Sequence, residues 1–247
     1  VDAYVAAFEM PEVEDDEDTG PSYEFAELGI GKIRYTERSG DGIPVVLIHG
    51  FGGDLDNWLF NIDALAEKAP VYALDLPGHG QSVKAVTNPN LETMVSAVIQ
   101  LMDHLKLEKA HLVGHSMGGL VAAQTGISNP KRVASLSLIC SAGLGDEINA
   151  EYIDGFVFAA NRKELKPKLK HLFADESLVN RSMVDDLLKY KRLDGVQTFL
   201  EALKDNMFGN GKQAVNVIAG LEALECPQQV IWGEADAVIP KTHADGI

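Results

Sequence analysis

Cysteine is scarce in this sequence: Cys140 and Cys226 stand far apart, with no CxxC or Cys/His spacing around them. That argues against a disulfide framework or a metal site, and predicts a reducing, cytoplasmic setting with both thiols buried as small hydrophobes. Positive charge is scarce too. Lysine and arginine number 21 against 37 acidic residues, a formal net charge of −16. A nucleic-acid partner would be repelled by that balance. No apolar run approaches the roughly 18 residues of a membrane-spanning helix, and the first residues lack a basic stretch followed by an apolar core. No membrane partner and no metal are expected.

What the sequence does have is apolar content, 46% of 247 residues, enough for one α/β domain with a substantial core. It opens on Val1, which reads as a fragment or a processed product. Residues 1–22 form an amphipathic piece and an acidic run from Glu12 to Asp18 that self-repels and buries nothing. Two readings stand for it, a tether and a frayed acidic terminus. From Tyr23 strands and helices alternate. "KIRYTER", turned by "SGDG" into "PVVLIHG", predicts a hairpin between those two strands. "VYALDLPG", "AHLVGHS", "VASLSLICS" and "QQVIWGE" follow as short apolar runs. Leu91, Met94, Val95, Val98, Leu101, Met102 and Leu105 recur at helical spacing, and a small-residue helix stops before Pro130. Continuous apolar strands between amphipathic helices predict a mostly parallel sheet with helices on both faces, binding ligands at the carboxyl ends of its strands. The alternation breaks at about 146–216, where charge-rich helical patterns predict an all-helical cap over those ends.

The segment "VGHSMGG" places Ser116 between Gly114 and Gly118, directly after an apolar strand and directly before a helix. In that setting G-x-S-x-G is a strained turn that exposes a nucleophilic hydroxyl, the alternative being a plain glycine-rich turn. An oxyanion formed there needs donors. The N–H of Met117 lies at the start of the following helix, and the loop "HGFGGD", with Gly50, Gly52 and Gly53, is expected to supply that of Phe51. His49 fixes that loop by hydrogen bonds rather than acting as the base.

"HGFGGDLDNW", "DLPGHGQS", "GHSMGG" and "WGEADAVIP", in that order, resemble the α/β-hydrolase family from Tyr23 onward. The resemblance implies the α/β-hydrolase fold over 23–247 and maps the triad acid onto Asp236, with Glu234 as the nearby competitor. It also implies a base in a Gly-His pair well beyond the acid. His79, His104, His111, His115 and His171 each sit where another role explains them, and His243, close in sequence to the acid, stays open as an alternative base. The expectation is therefore that the base and a last helix lie beyond Ile247.

The opening "VDAYVAAFEMPE" and the cap segment from "AGLGDEINAEYIDGFVF" to "KRLDGV" resemble the dihydrolipoamide acetyltransferase component of acetoin dehydrogenase complexes. That narrower resemblance implies a lipoyl domain before Val1, other subunits of a multienzyme dehydrogenase complex as partners, and no cofactor bound to this domain itself. It also implies acetyl transfer from a lipoyl thioester to coenzyme A. Among the basic residues, Arg162, Lys163, Lys166, Lys168 and Lys170 are the candidates to grip coenzyme A phosphates, and a solvated helix face is the competing reading. Two other functions stay open: a stand-alone serine carboxylesterase or thioesterase, and a catalytically silent hydrolase fold that scaffolds partners.

Overall fold

The computed structural model describes residues 22–245. The acidic run and the possible exit of a lipoyl domain lie outside them. Seven strands, β1 (Tyr23–Leu28), β2 (Gly31–Arg38), β3 (Val45–Ile48), β4 (Val71–Leu74), β5 (Ala110–His115), β6 (Val133–Ile139) and β7 (Gln228–Ile231), form one sheet in the order β1-β2-β4-β3-β5-β6-β7. β1 and β2 are an antiparallel hairpin, β2 runs antiparallel to β4, and the remaining neighbours are parallel.

The hairpin expected across "SGDG" does not form. β3 pairs in parallel with β4 and β5, while β2 pairs with β1 and β4. The four residues of β3 are all buried, a pattern that suits a central strand flanked on both sides better than the second arm of a ribbon. Gly40 instead serves close packing: a Cβ there would stand 2.5 Å from the carbonyl of Ala69, in the approach to β4.

Helices cover both faces. α1 (Leu59–Ala66) lies between β3 and β4 in sequence, and its Ile62 packs with Trp58, Leu47 and Ala73 in a small cluster on one face. α2 (Leu91–His104) and α3 (Met117–Ser128) bury their apolar residues in the larger core on the other. α2 starts where the Asn90 side chain accepts the Thr93 N–H, a cap worth about 1 kcal/mol. Its helical stripe is as the spacing predicts, with Leu105 packed at the margin of the core.

Between β6 and β7 the chain inserts α4 (Ala150–Phe158), α5 (Arg162–Leu169), α6 (Arg181–Lys191) and α7 (Val196–Phe208), then returns through α8 (Ile218–Glu222). Glu147 and Lys212 bridge the neck of this insertion, and the Gln213 side chain ties it further, accepting from Gly143 N–H at 2.6 Å and donating to Glu147 O at 2.8 Å. The insertion is fastened to the sheet loops by Tyr190, whose hydroxyl donates to Gly78 O at 2.9 Å. Lys191 Nζ donates to the carbonyls of Phe156 and Ala159, which close α4. After β7 comes the short helix α9 (Thr242–Asp245).

β3 connects outward to β4, whereas β5 connects the opposite way to β6. The strand order therefore reverses between β3 and β5, and the crevice at their carboxyl ends is where open α/β sheets take ligands.

Candidate active site

Two loops meet in that crevice, one after β3 and one after β5. Ser116 follows β5 directly with φ 55° and ψ −119°, a conformation that costs a side-chain-bearing residue about 1–3 kcal/mol. The surroundings enforce it. Ser116 N–H donates to Ile139 O at 2.9 Å, and its carbonyl accepts from Gly119 at 2.9 Å and Ala142 at 3.0 Å. The two flanking glycines let the backbones close in. A Cβ on Gly114 would lie 2.1 Å from Gly118 O, and one on Gly118 would lie 2.2 Å from Ile48 O. α3 is thereby drawn tight against both β5 and β3.

The loop after β3 passes directly over the serine: a Cβ on Gly50 would be 3.2 Å from Ser116 Cβ and 3.3 Å from His115 Nδ1. His49 anchors this loop from below. It is fully buried, its Nε2 accepts from Leu76 N–H at 3.0 Å, and its Nδ1 donates to Gly50 O at 2.7 Å, the arrangement of a neutral imidazole. Burial lowers its pKa, opposed by the charge of Asp75. Among the described residues, the N–H groups of Phe51 and Met117 have no acceptor. Two free donors beside a half-buried serine are the arrangement that stabilises a developing oxyanion.

Asp236 stands in the loop after β7, its Oδ1 accepting from Val238 N–H at 2.8 Å and Ile239 N–H at 3.0 Å. Its charge opposes the burial that lowers the His115 pKa, so it faces the same crevice as the serine. Glu234, the competitor, has a side chain 91% exposed and only a distant contact with Lys241. Both carboxylates, with Ser116, Phe51 and Cys140, line a cleft of about 990 Å³. Its far wall comes from the insertion and is apolar, with Tyr152, Phe156, Leu169, Met183 and Phe208.

The histidines that reach this cleft are His49, His115 and His171. Among the described residues no hydrogen bond joins a histidine to the Ser116 hydroxyl or to Asp236. His243 turns elsewhere: its Nε2 lies 2.8 Å from Glu147 Oε2, and its ring packs edge-on against Trp232. His79 is buried and donates from Nδ1 to Pro77 O at 3.0 Å, and His111 bonds the Ser135 hydroxyl at 2.7 Å. His104 sits edge-on to Tyr35.

Two features of the site escape a reading of the sequence. Asp75, in "DLPG", is fully buried and accepts Leu55 N–H at 2.8 Å and Gln81 N–H at 2.7 Å, so it binds the β3 loop to the β4 loop. A signal was present, since an aspartate at the end of an all-apolar strand must find partners when buried. Near it, burial, aided by the charges of Asp75 and Asp56, pushes the Asp54 carboxyl up to about 6. Cys140 corrects the expectation of two buried thiols: both cysteines are only partly buried. The backbone turns at Cys140 with φ 44°, which brings its sulfur to Gly233 N–H at 3.4 Å, beside Asp236 in the cleft. Among the described residues no group of His, Cys, Asp and Glu side chains could hold a metal ion, and no helix is long and apolar enough to cross a membrane.

The comparisons with known proteins agree with the fold. A family model described as alpha/beta hydrolase fold matches residues 43–246. The dihydrolipoyllysine-residue acetyltransferase component of the acetoin cleaving system of Cupriavidus necator is 48% identical over 246 residues, 99% of this chain. Its counterpart from Pseudomonas putida is also 48% identical, over 248 residues and 99% of this chain. The chain spans 66% of the length of each of these curated relatives. Among solved structures, a meta-cleavage product hydrolase from Pseudomonas fluorescens superposes with a TM-score of 0.79 at 24% identity, over 90% of this chain and 83% of that one.

Proposed function

The chain belongs to the alpha/beta hydrolase family, and from that premise we propose that it transfers an acyl group through Ser116, moving acetyl from a dihydrolipoyl thioester to coenzyme A. The Ser116 hydroxyl gives its proton to a histidine, and its oxygen attacks the thioester carbonyl carbon. The N–H groups of Phe51 and Met117 hold the oxyanion, and Asp236 orients the histidine and stabilises its cation. Collapse breaks the carbon–sulfur bond, the departing sulfur takes the proton, and acetyl remains on Ser116. The coenzyme A thiol then attacks in the same way and restores the serine. The described residues bring no histidine into hydrogen-bond contact with Ser116. The reading assigns the base to the part of the longer relatives that this chain does not span.

The observation that carries the reading is the strained Ser116 beside two N–H groups without acceptors, in a cleft shared with Asp236. The choice of an acetyl group and a dihydrolipoyl donor rests on the relatives at 48% identity, which are dihydrolipoyllysine-residue acetyltransferase components; coenzyme A is this reading's own choice of acceptor. In the same reading residues 1–22 are a tether, the lipoyl arm arrives from another domain, residues of about 146–216 cap the site, and the protein works beside other subunits of an acetoin-cleaving complex. A second reading has water as acceptor, a serine esterase or thioesterase. The 29% identity to the monoacylglycerol lipase ABHD6 of Bos taurus favours it, as does the apolar cleft wall. A third, a silent scaffold, is favoured by the lack of a bonded histidine. The test is the full-length protein given acetyl-dihydrolipoamide and coenzyme A, with Ser116→Ala beside it. Acetyl-coenzyme A formed by the wild type alone supports the proposal. Equal formation by the alanine variant removes the covalent step, hydrolysis indifferent to coenzyme A favours the esterase, and no turnover favours the scaffold.

A further inference from the structure

On a chain of net charge −16, one groove gathers cations. It measures about 450 Å³ and lies between α5 and α6, lined by Arg162, Lys163, Lys189 and Arg192 with Asp185 and Leu188. In sequence the solvated face of one helix is the favoured reading of the α5 cations. Here a second helix brings Lys189 and Arg192 to the same place, so the charges converge instead of dispersing. The one carboxylate is already engaged, since Asp185 Oδ2 accepts from Arg162 Nη2 at 2.7 Å and lies 3.6 Å from Arg181. Lys189 is paired with Asp186 at 2.8 Å. Among the described residues Lys163 and Arg192 have no carboxylate within ion-pair distance. That leaves an ammonium and a guanidinium fork facing one groove over the buried Leu188, a combination suited to a phosphate-bearing ligand with an apolar portion.

The groove's position narrows the ligand. Met183, Leu187 and Tyr190, on the other side of α6, line the cleft that holds Ser116. Groove and cleft are thus separated by one helix, about 10–12 Å across. A ligand with phosphates at one end of a long flexible arm and a thiol at the other spans that distance. We propose that the α5–α6 groove binds the nucleotide phosphates of coenzyme A, an inference that rests on the acyl-transfer reading for its ligand.

The test uses the full-length protein and the double variant Lys163→Gln/Arg192→Gln. Both side chains are exposed, so folding is expected to be unchanged. Binding of adenosine 3′,5′-bisphosphate is measured by calorimetry, and KM is measured for coenzyme A and for pantetheine, which lacks the phosphates. The expected result is binding weakened about tenfold or more in the variant. KM for coenzyme A should rise by a similar factor at unchanged kcat, with pantetheine unaffected. Equal nucleotide binding by both proteins, or equal effects on the two thiols, would overturn the proposal. Inorganic phosphate displacing the nucleotide at equal concentration would overturn the nucleotide assignment. Failure to acetylate either thiol defeats the acyl-transfer reading, while nucleotide binding lost in the variant would still uphold the groove as a phosphate site.

Discussion

Arg34 Nε lies 2.8 Å from Asp75 Oδ2, with both side chains almost wholly buried. The N–H does not point along the contact, so the attraction is charge on charge rather than a hydrogen bond. Asp75 in turn holds Leu55 and Gln81, and through them the loop over the serine. Removing one partner strands a buried charge, which typically costs about 3–5 kcal/mol. Arg34→Met is expected to lower the unfolding free energy by that order, read as a lower urea midpoint at unchanged m-value. Arg34→Met/Asp75→Asn should recover part of the loss, because no buried charge is left over. A double variant no more stable than the single one would show that the charge pair is not what matters there.

Gly118 is expected to reverse the usual rule for glycine in a helix. Alanine at an ordinary helical position gains about 1 kcal/mol. At Gly118 the added Cβ meets the Ile48 carbonyl oxygen at 2.2 Å, and backbone cannot swing aside as a side chain can. Overpacking of about 1–3 kcal/mol should win. Gly126→Ala, in the same helix, meets only leucine side-chain ends at 3.3 Å and beyond, and serves as the control. Thermal or urea unfolding should separate the two variants, with Gly118→Ala destabilised and Gly126→Ala near neutral.

How much of this was legible in the sequence varies with the range of the interaction. Ser116 and its glycines could be read because strand, turn and helix are contiguous, and the pattern itself encodes the close approach. The parallel sheet was legible from fully apolar runs such as "VVLI". The "SGDG" hairpin misled because glycine pairs mark a tight turn without saying whether the strands they join are neighbours; the buried, doubly flanked β3 decided otherwise. Asp75 escaped notice because its partners Arg34, Leu55 and Gln81 come from three separate segments. The converging cations between α5 and α6 were half visible, since Lys189 and Arg192 become neighbours of Arg162 only through helix packing.

Acid should destabilise this fold through its buried neutral histidines. Burial holds the pKa of His79 well below the usual histidine value, and the neighbouring His49 lowers it further. The folded state then refuses a proton that the unfolded chain accepts near pH 6.5. Stability from this source is fully present above pH 6.5 and is lost as pH falls from there toward the folded value. One such group contributes about 1.4 kcal/mol per pH unit in that window. Asp54, raised to about 6, acts in the opposite direction below that pH, so the single-site comparison is the informative one. Urea midpoints at several pH values between about 7.5 and 5.5 should fall less steeply for His79→Gln than for the wild type, whatever the absolute stability of the variant. Parallel slopes would contradict a neutral His79.

Asp236 rather than Glu234 is expected to carry the acid's role. Its carboxylate is fixed by two backbone N–H groups, whereas Glu234 projects into solvent. Asp236→Asn should lower kcat by about 10³–10⁴-fold, and Glu234→Gln should leave it within a few-fold of the wild type. Acyl-transfer rates of the full-length variants decide between them, and a large loss in Glu234→Gln alone would transfer the role.

The most direct test of the account is to capture the acyl enzyme. Full-length protein mixed briefly with an activated acetyl ester and quenched in acid should carry one acetyl group, and peptide mass spectrometry should place it on Ser116. The Ser116→Ala variant should carry none. Acetylation to the same extent in the alanine variant, or no acetyl on Ser116 while ester is being consumed, would contradict a covalent mechanism through this serine.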